Sequence, residues 1–212
     1  MEEVTLNFLK ELSKSCSYGS IHGNDCLIKV YKTVLSMLEC RGYQTINTKC
    51  STVHDIFKHM KSDEPIVTAK GSPLKQDVNV YFYLENKVGI KYLRTIIDKH
   101  QDTITCIISI EGPTTFTKRD ARDQNNIQFP TYRQLFNDIS KHKMIPKHRL
   151  LNEDEKSIVK DKFNIKNDSQ WPQLLQKDPV TMFYHFQKGD VIEISRKGIG
   201  GQESSLYYRI VV

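Results

Sequence analysis

The sequence predicts two domains of different class, an α/β N-terminal domain with a mixed sheet flanked by helices and a small α+β C-terminal domain. Helical and strand-like patterns alternate over residues 27–143, which is the order typical of an α/β layer. The apolar run at 103–110 has the composition of a strand that is buried on both faces of such a sheet. The pattern changes near Ile145-Pro146, and the remainder contains a capped helix and two strands.

Hydrophobic spacing and helix-capping residues predict the elements of the N-terminal domain. A short N-terminal helix is expected before a Ser- and Gly-rich loop at 13–24. Apolar residues at helical spacing predict a helix over 27–41, with Asp25 as its N-cap and Gly42 as the left-handed residue after its end. The predicted elements that follow are a strand at 43–50, a helix at 52–61 capped by Ser51, strands at 65–70 and 78–84, a helix at 89–100 and a strand at 103–110.

Local signals also define the elements of the C-terminal domain. Asn152 and, three residues later, Glu155 form a capping box that predicts a helix running through Phe163. Pro172 is expected in the first turn of a second short helix, and Asp178-Pro179 at the start of a third element. Strands are predicted at 190–195 and 206–212, with a Gly-rich turn at 198–201 between them.

Composition excludes several classes of protein. With 38% hydrophobic and 26% charged residues, the 212-residue chain has the balance of a folded globular protein and not of a disordered one. No apolar run approaches the ~20 residues needed to cross a bilayer, so we expect no membrane association. The N-terminal segment carries two glutamates where a secretory signal would carry lysines, and the five cysteines have no paired spacing. These features predict a protein of a reducing compartment that is not secreted.

The net charge of +6 is concentrated in one part of the chain. Residues 114–149 contain eight basic residues against three aspartates, a local charge of +5, and the rest of the chain is close to neutral at +1. Such an excess is typical of a surface that faces phosphates, although a solvated lysine-rich face would have the same composition. The basic residues are Lys118, Arg119, Arg122, Arg133, Lys141, Lys143, Lys147 and Arg149.

One group of residues has catalytic potential. Asp77 precedes a predicted strand, and Glu85 and Lys87 follow it, in the Asp…Glu-x-Lys order of metal-dependent nucleases. The same residues can equally form the polar end of a hairpin. Cys16, His22 and Cys26 lack the paired spacing of a zinc site, so we predict no metal and no cofactor. The sequence has neither a phosphate-binding glycine loop before a helix nor a nucleophile elbow.

The last part of the chain is dense in large apolar residues, including Trp171 and Phe183 and the closing run of aromatic and aliphatic residues at 206–212. A domain this small reaches such a density either because its core is well filled or because some of these side chains cover a protein interface. The composition alone leaves both interpretations open.

Several motifs in order give the chain a resemblance to a known family. After residue 143 these motifs are Met144-Ile145-Pro146-Lys147-His148, the capped helix after Asn152, Trp171-Pro172, Asp178-Pro179-Val180, Lys188-Gly189-Asp190, Arg196-Lys197 and Tyr208-Arg209-Ile210. In this order they resemble the assembly domain of subunit 5 of eukaryotic nuclear RNA polymerases, whose small archaeal counterpart consists of this domain alone.

The preceding part of the chain is similar to the eukaryotic jaw domain of the same family, through Arg41-Gly42-Tyr43, Val88-Gly89-Ile90-Lys91 and Gly112-Pro113-Thr114. The resemblance spans residues 27–212 and leaves the first 26 residues unmatched. Two departures, the Gly-rich turn at 198–201 and Trp171 at an aliphatic position, indicate a divergent lineage, of which a virus-encoded polymerase is one example.

The resemblance implies a non-catalytic subunit of a DNA-directed RNA polymerase with three segments: an N-terminal extension (1–26), a jaw domain (27–143) and an assembly domain (144–212). The assembly domain would dock on the largest subunit within the complex, not as a homo-oligomer, and the jaw would lie beside downstream duplex DNA without sequence preference. The expected location is the nucleus, or the cytoplasm or virion for a viral enzyme. Lys118, Arg119 and Arg122 would face DNA, and the docking residues would be Pro146, Lys147, His148, Asp178, Pro179, Val180, Gly189, Arg196 and Arg209.

Overall fold

The computed structural model describes residues 2–17, 21–46, 50, 52–71, 76–99, 103–122, 124, 126–196 and 205–212. The chain folds as two compact units, Met1–Asp138 and Ile139–Val212. The domain boundary predicted from the sequence lies five residues further along the chain, between Lys143 and Met144. Among the described residues, no helix has both the length and the apolar composition to cross a membrane.

Helices and strands alternate through most of the N-terminal unit. The helices are α1 (Glu2–Ser17), α2 (Gly23–Cys40), α3 (Val53–Ser62), α4 (Ile90–Lys99), α5 (Thr115–Asp120) and α6 (Tyr132–Leu135). The strands are β1 (Gln44–Thr45), β2 (Val67–Lys70), β3 (Val78–Phe82), β4 (Lys87–Val88), β5 (Ile104–Ile108), β6 (Gly112–Pro113) and β7 (Ile127–Gln128).

A five-stranded mixed sheet in the order β1-β2-β3-β5-β7 forms the centre of this unit. Strands β3, β5 and β7 are parallel to one another, whereas β1 and β2 are antiparallel to their neighbours. All five residues of β3 are buried, as are the last four of β5, which confirms a strand covered on both faces within the run at 103–110. Strands β4 and β6 form a separate parallel pair.

Helices cover both faces of the sheet. Adjacent residues of a strand point to opposite faces, so neighbouring residues of β3 contact different helices. Tyr81 packs with Leu93 and Ile96 of α4 on one face. The next residue, Phe82, contacts the ring of Tyr132 in α6 on the other face, at a centroid distance of 5.5 Å. This arrangement confirms the α/β class predicted for the N-terminal domain.

The helices near the N-terminus differ from the prediction. Helix α1 has 16 residues and includes residues 13–17, which were predicted as loop. Its apolar residues explain the extension, since Leu12 is fully buried and Phe8 contacts the ring of Tyr132 at 5.7 Å. The N-cap of α2 is His22, and Asp25 lies in the first turn, where its charge still suits the helix dipole.

Two other predictions concern the ends of helices. Gly42 has a φ of +79° after the end of α2, as predicted for a left-handed residue. Ser51, the predicted cap of the next helix, lies outside the described residues. Thr52 caps α3, and its hydroxyl accepts a hydrogen bond from the backbone N–H of Asp55 at 3.3 Å. Within the described part of the strand predicted at 43–50, which leaves out 47–49, only the two residues of β1 are extended in a sheet.

The C-terminal unit is an α+β fold built on a four-stranded sheet in the order β8-β10-β11-β9. Neighbouring strands are antiparallel except β9 and β11, which run parallel. Its elements are the helices α7 (Glu153–Lys162) and α8 (Pro179–Tyr184) and the strands β8 (Lys147–Leu150), β9 (Gln173–Leu174), β10 (Val191–Arg196) and β11 (Ser205–Val211).

Capping confirms one prediction for this unit, and strand pairing contradicts another. Asn152 accepts from the backbone N–H of Glu155 at 2.8 Å, and the Glu155 carboxylate accepts from the N–H of Asn152 at 3.0 Å, which is the predicted capping box. The helix predicted at Pro172 is wrong: this residue leads into β9, and its carbonyl accepts from the backbone N–H of Ile210 at 2.9 Å. The predicted turn at 198–201 lies outside the described residues.

Candidate interaction surfaces

The strand register assigns the predicted docking residues to the faces of the C-terminal sheet. Residues directly opposite each other in neighbouring strands share a face, and alternate residues of one strand do so too. His148 lies opposite Ile194, and Arg209 lies opposite Ile192. We call the resulting surface the α8 face, and it comprises His148, Leu150, Ile192, Ile194, Arg196, Tyr207 and Arg209.

The α8 face is only partly covered by the protein itself. Ile192 and Ile194 are buried in a cluster that includes Phe186 and is flanked by Tyr184 of α8. Toward the free edge and the strand ends, however, Leu150 and Tyr207 remain 47% and 46% exposed. The opposite face packs its own cluster around Trp171 and α7, so each face of the sheet has a separate core.

His148 is the centre of the polar part of the α8 face. Its Nδ1 lies 2.7 Å from the carbonyl oxygen of Pro146, and because a carbonyl can only accept, Nδ1 carries the proton and donates it. Burial lowers the pKa of His148 below its ordinary value of 6.5, against the opposite effects of this hydrogen bond and of Asp178. Arg196 and Arg209 lower the pKa further. The fold therefore gathers five of the predicted docking residues at one imidazole, His148 itself among them.

The Asp178-Pro179-Val180 motif has a clear local role at the start of α8. Asp178 Oδ1 accepts a hydrogen bond from the backbone N–H of Val180 at 2.9 Å and so caps the helix. Pro179 occupies the first turn, where its missing N–H leaves no helical hydrogen bond unmade. The motif thus fixes where α8 begins and holds the Asp178 carboxylate close to His148.

The two arginines of the α8 face are held in different ways. Arg209 donates from its guanidinium to the carbonyl oxygen of Gln173 at 3.1 Å, which ties β11 to β9. Arg196 lies over the ring of Tyr207, with 4.7 Å between the guanidinium carbon and the ring centroid. Arginine and tyrosine are both enriched among the residues that contribute most to binding at protein interfaces.

Of the nine predicted docking residues, His148, Arg196 and Arg209 lie on the α8 face, and Gly189 and Lys147 are among those that do not. Gly189 has a φ of +94°, and its N–H donates to the carbonyl of Val211 at 2.9 Å, so it forms the tight turn before β10. Lys147 lies opposite Ser195, on the other face of the sheet. The sequence prediction also missed Tyr207 and Leu150, although alternation along β11 and β8 places them two residues from Arg209 and His148.

The basic patch of the N-terminal unit comprises Lys118 and Arg119 of α5 and Arg122, two residues after the helix. All three are exposed, and among the described residues no carboxylate lies within ion-pairing distance of them. Asp120, between them in sequence, pairs instead with Arg94 of α4 at 3.3 Å. The patch therefore presents three positive charges that no described side chain balances.

Hydrogen bonds hold α5 in a fixed position under this patch. Thr114 caps the helix by accepting from the backbone N–H of Thr117 at 3.3 Å. The buried hydroxyl of Thr117 donates to the carbonyl oxygen of Val88 in β4 at 2.9 Å. Other basic residues of the segment 114–149 do have carboxylate partners: Arg149 pairs with Glu155 at 2.6 Å and with Glu193 at 3.1 Å in the C-terminal unit.

The structure does not support the nuclease alternative. Asp77 precedes β3 and accepts from the backbone N–H of Gly71 at 3.0 Å, whereas Glu85 follows β3 and accepts from the hydroxyl of Tyr83, also at 3.0 Å. The strand between them spans roughly 17 Å, so the two carboxylates cannot share a metal ion. Lys87 pairs with Glu111 at 3.1 Å.

The other candidate ligands do not form a metal site either. No group of three or more His, Cys, Asp and Glu side chains in the described part of the chain is placed to hold a metal ion. Cys16, His22 and Cys26 are among these described residues, and burial raises the pKa of the Cys16 thiol to about 12.

Comparisons with known proteins match both units. The family model described as RNA polymerase Rpb5, N-terminal domain, matches residues 25–100, and the model described as RNA polymerase Rpb5, C-terminal domain, matches residues 137–211. The chain is 26% identical over 205 residues to the DNA-directed RNA polymerases I, II, and III subunit RPABC1 of Caenorhabditis briggsae, over 88% of this chain and 95% of the relative. It is 26% identical over 176 residues to the DNA-directed RNA polymerase V subunit 5A of Arabidopsis thaliana, over 77% and 78% of the two chains.

These matches define the class of protein as a subunit of DNA-directed RNA polymerase. Since the two family models together cover most of the 212 residues, the chain belongs to the RNA polymerase Rpb5 family. The resemblance to polymerase subunit 5 and the predicted pair of domain classes are therefore confirmed. The N-terminal match begins at residue 25, so α1 precedes it.

Proposed function

We propose that this chain is a non-catalytic subunit that docks on the largest subunit of a DNA-directed RNA polymerase and guides downstream DNA. In this proposal, residues 144–212 form the assembly domain, residues 27–143 form the jaw and residues 1–26 are an extension. Curated relatives named as eukaryotic polymerase subunits support a nuclear location.

The observation that carries the docking proposal is the convergence of predicted docking residues around His148 on the half-exposed α8 face. Exposed Tyr207 and Leu150 supply the apolar area that a stable interface needs, and Arg196 and Arg209 supply charges beside it. The largest subunit would cover this area and pair the two arginines with acidic groups.

Co-purification of the largest subunit with the tagged full-length chain tests this proposal. We expect Arg209→Glu to lose the largest subunit from the eluate, because it reverses a charge within the α8 face and breaks the link to Gln173. Lys166→Glu is the matched control, since it makes the same charge change at an exposed residue after α7. Equal retention by both folded variants would contradict docking through the α8 face.

The DNA-guiding part of the proposal depends on the patch of Lys118, Arg119 and Arg122. Three unbalanced cations on and just after a fixed helix suit contacts with phosphates, which hold a duplex without reading its sequence. Such contacts let DNA move past the protein, as transcription requires. The salt dependence of DNA binding tests this part separately from docking.

A further inference from the structure

One hydrogen bond determines how the imidazole of His148 can bind a partner. Its Nδ1 donates to the carbonyl oxygen of Pro146 at 2.7 Å, so the single proton of the neutral ring is already in use. The second ring nitrogen, Nε2, is then unprotonated and can only accept a hydrogen bond. The neutral ring therefore presents one acceptor of defined chemistry on the α8 face.

The Nε2 atom of His148 has no partner within the described part of the chain. It makes no hydrogen bond with any of those residues, and it is not sealed from solvent. The ring is half-buried, since its cross-strand neighbour Ile194 is buried whereas Leu150, on the same face of β8, is 47% exposed. Water can therefore bond to Nε2 in the unbound chain, and a protein that covered His148 and Leu150 would displace that water.

The groups around His148 favour its neutral form. Three charged residues act on the ring, one from each neighbouring element: Asp178 before α8, Arg196 of β10 and Arg209 of β11. Burial and the two arginines disfavour the imidazolium, and they lower the pKa of His148 against the opposite effects of Asp178 and of the bond to Pro146. At neutral pH the ring is therefore uncharged, and Nε2 is an acceptor.

We propose that docking requires neutral His148, whose Nε2 accepts a hydrogen bond from an N–H or O–H group of the largest subunit. The inference rests on the proposed function, because it names the chemistry that the partner presents to the α8 face. An acceptor that docking removes from water must be paired, since a buried polar group without a partner destabilises the complex. Protonation would place an N–H of His148 opposite the donor of the partner, so acid should release the subunit.

The affinity of the full-length chain for the purified largest subunit, measured by biolayer interferometry between about pH 8 and about pH 5, tests the inference. We expect the affinity to fall by up to about tenfold per pH unit below the pKa of His148, because one proton must leave before docking. His148→Leu has no acceptor and should weaken docking about 5- to 150-fold at neutral pH. His148→Gln carries an amide oxygen that can replace Nε2, so it should dock more tightly than His148→Leu and show no pH dependence. His54→Gln makes the same change at an exposed histidine of α3 and, as the matched control, should keep the wild-type pH profile.

Melting temperatures at each pH identify the conditions in which every variant is folded, and affinities are compared only there. A wild-type affinity that stays constant or rises as the pH falls would overturn the inference, as would equal docking by His148→Gln and His148→Leu. These outcomes are separable from failure of the proposed function. Absence of binding at neutral pH would refute both, whereas docking that Arg209→Glu abolishes but pH does not change would refute the role of His148 alone.

Discussion

Neutralising Lys118, Arg119 and Arg122 together should remove much of the salt dependence with which the chain binds duplex DNA. The three side chains are exposed and lack described carboxylate partners, so each is available for one phosphate. Each phosphate contact contributes about 0.9 to the slope of log affinity against log salt, so three contacts contribute roughly 2.7. Between ~50 and ~200 mM salt, the wild-type chain should therefore lose affinity about 40-fold more than the triple alanine variant.

Fluorescence anisotropy with a labelled duplex, repeated over a salt series, measures this slope directly. The matched control replaces three other exposed lysines by alanine, and so makes the same change in net charge elsewhere in the N-terminal unit: Lys32, Lys58 and Lys61 of α2 and α3. If the control lowers the slope as much as the patch variant does, binding depends only on net charge. The argument for a localised patch would then be refuted, as it would by a slope that neither variant changes.

Three further predictions concern stability. Asn152→Ala should cost the C-terminal unit about 1 kcal/mol in denaturant unfolding, because the N–H of Glu155 loses its capping acceptor; an unchanged midpoint would contradict this. Gly23→Ala should cost the N-terminal unit roughly 1–3 kcal/mol in thermal unfolding, since a Cβ there would overlap the carbonyl oxygen of Leu9; unchanged stability would show that α1 and α2 move apart at little cost. Because the pKa of His148 is lowered in the folded state, its stabilising contribution is complete above pH 6.5 and is lost as the pH falls through the lowered pKa. His148→Gln should therefore make the melting temperature less dependent on pH below pH 6.5. Melting temperatures that fall equally with pH in the variant and the wild type would contradict this.

Local chemical signals explain most of what the sequence predicts correctly about the fold. The Asn152–Glu155 capping box involves residues three apart, and it determines the start of α7 without help from the rest of the chain. The apolar run at 103–110 similarly predicts a strand covered on both faces, because both sets of alternating side chains in such a strand are buried and must be apolar. The family resemblance depends on the order of such local motifs.

Nonlocal packing explains the elements that the sequence predicts wrongly. Residues 13–17 have the Ser content of a loop, but α1 continues through them because Leu12 and Phe8 bury their side chains against other helices. Pro172 suits a first helical turn, yet the backbone around it pairs with β11, and Gln173 lies opposite Ile210. Neither partner is near in sequence, so no local pattern could have indicated the outcome.

The candidate docking site also depends on both local motifs and nonlocal strand pairing. Motif order identifies His148 and Arg209 as candidates, but their meeting on one face depends on the register of β8 and β11 against β10. A shift of one residue in either pairing would move its side chains to the opposite face. Because side chains alternate along a strand, Lys147, adjacent to His148 in the motif, lies on the other face of the sheet.

The two surfaces should respond differently to salt, because their cations have different surroundings. On the α8 face, Arg196 and Arg209 lie beside Tyr207 and a half-buried imidazole, so binding there would bury apolar area along with the charges. Burial weakens screening, and docking should persist at salt concentrations that weaken contacts of the exposed α5 cations. A polymerase containing this subunit should therefore release duplex DNA from the α5 patch at moderate salt while the subunit stays bound. Net charge alone would predict that both contacts weaken together.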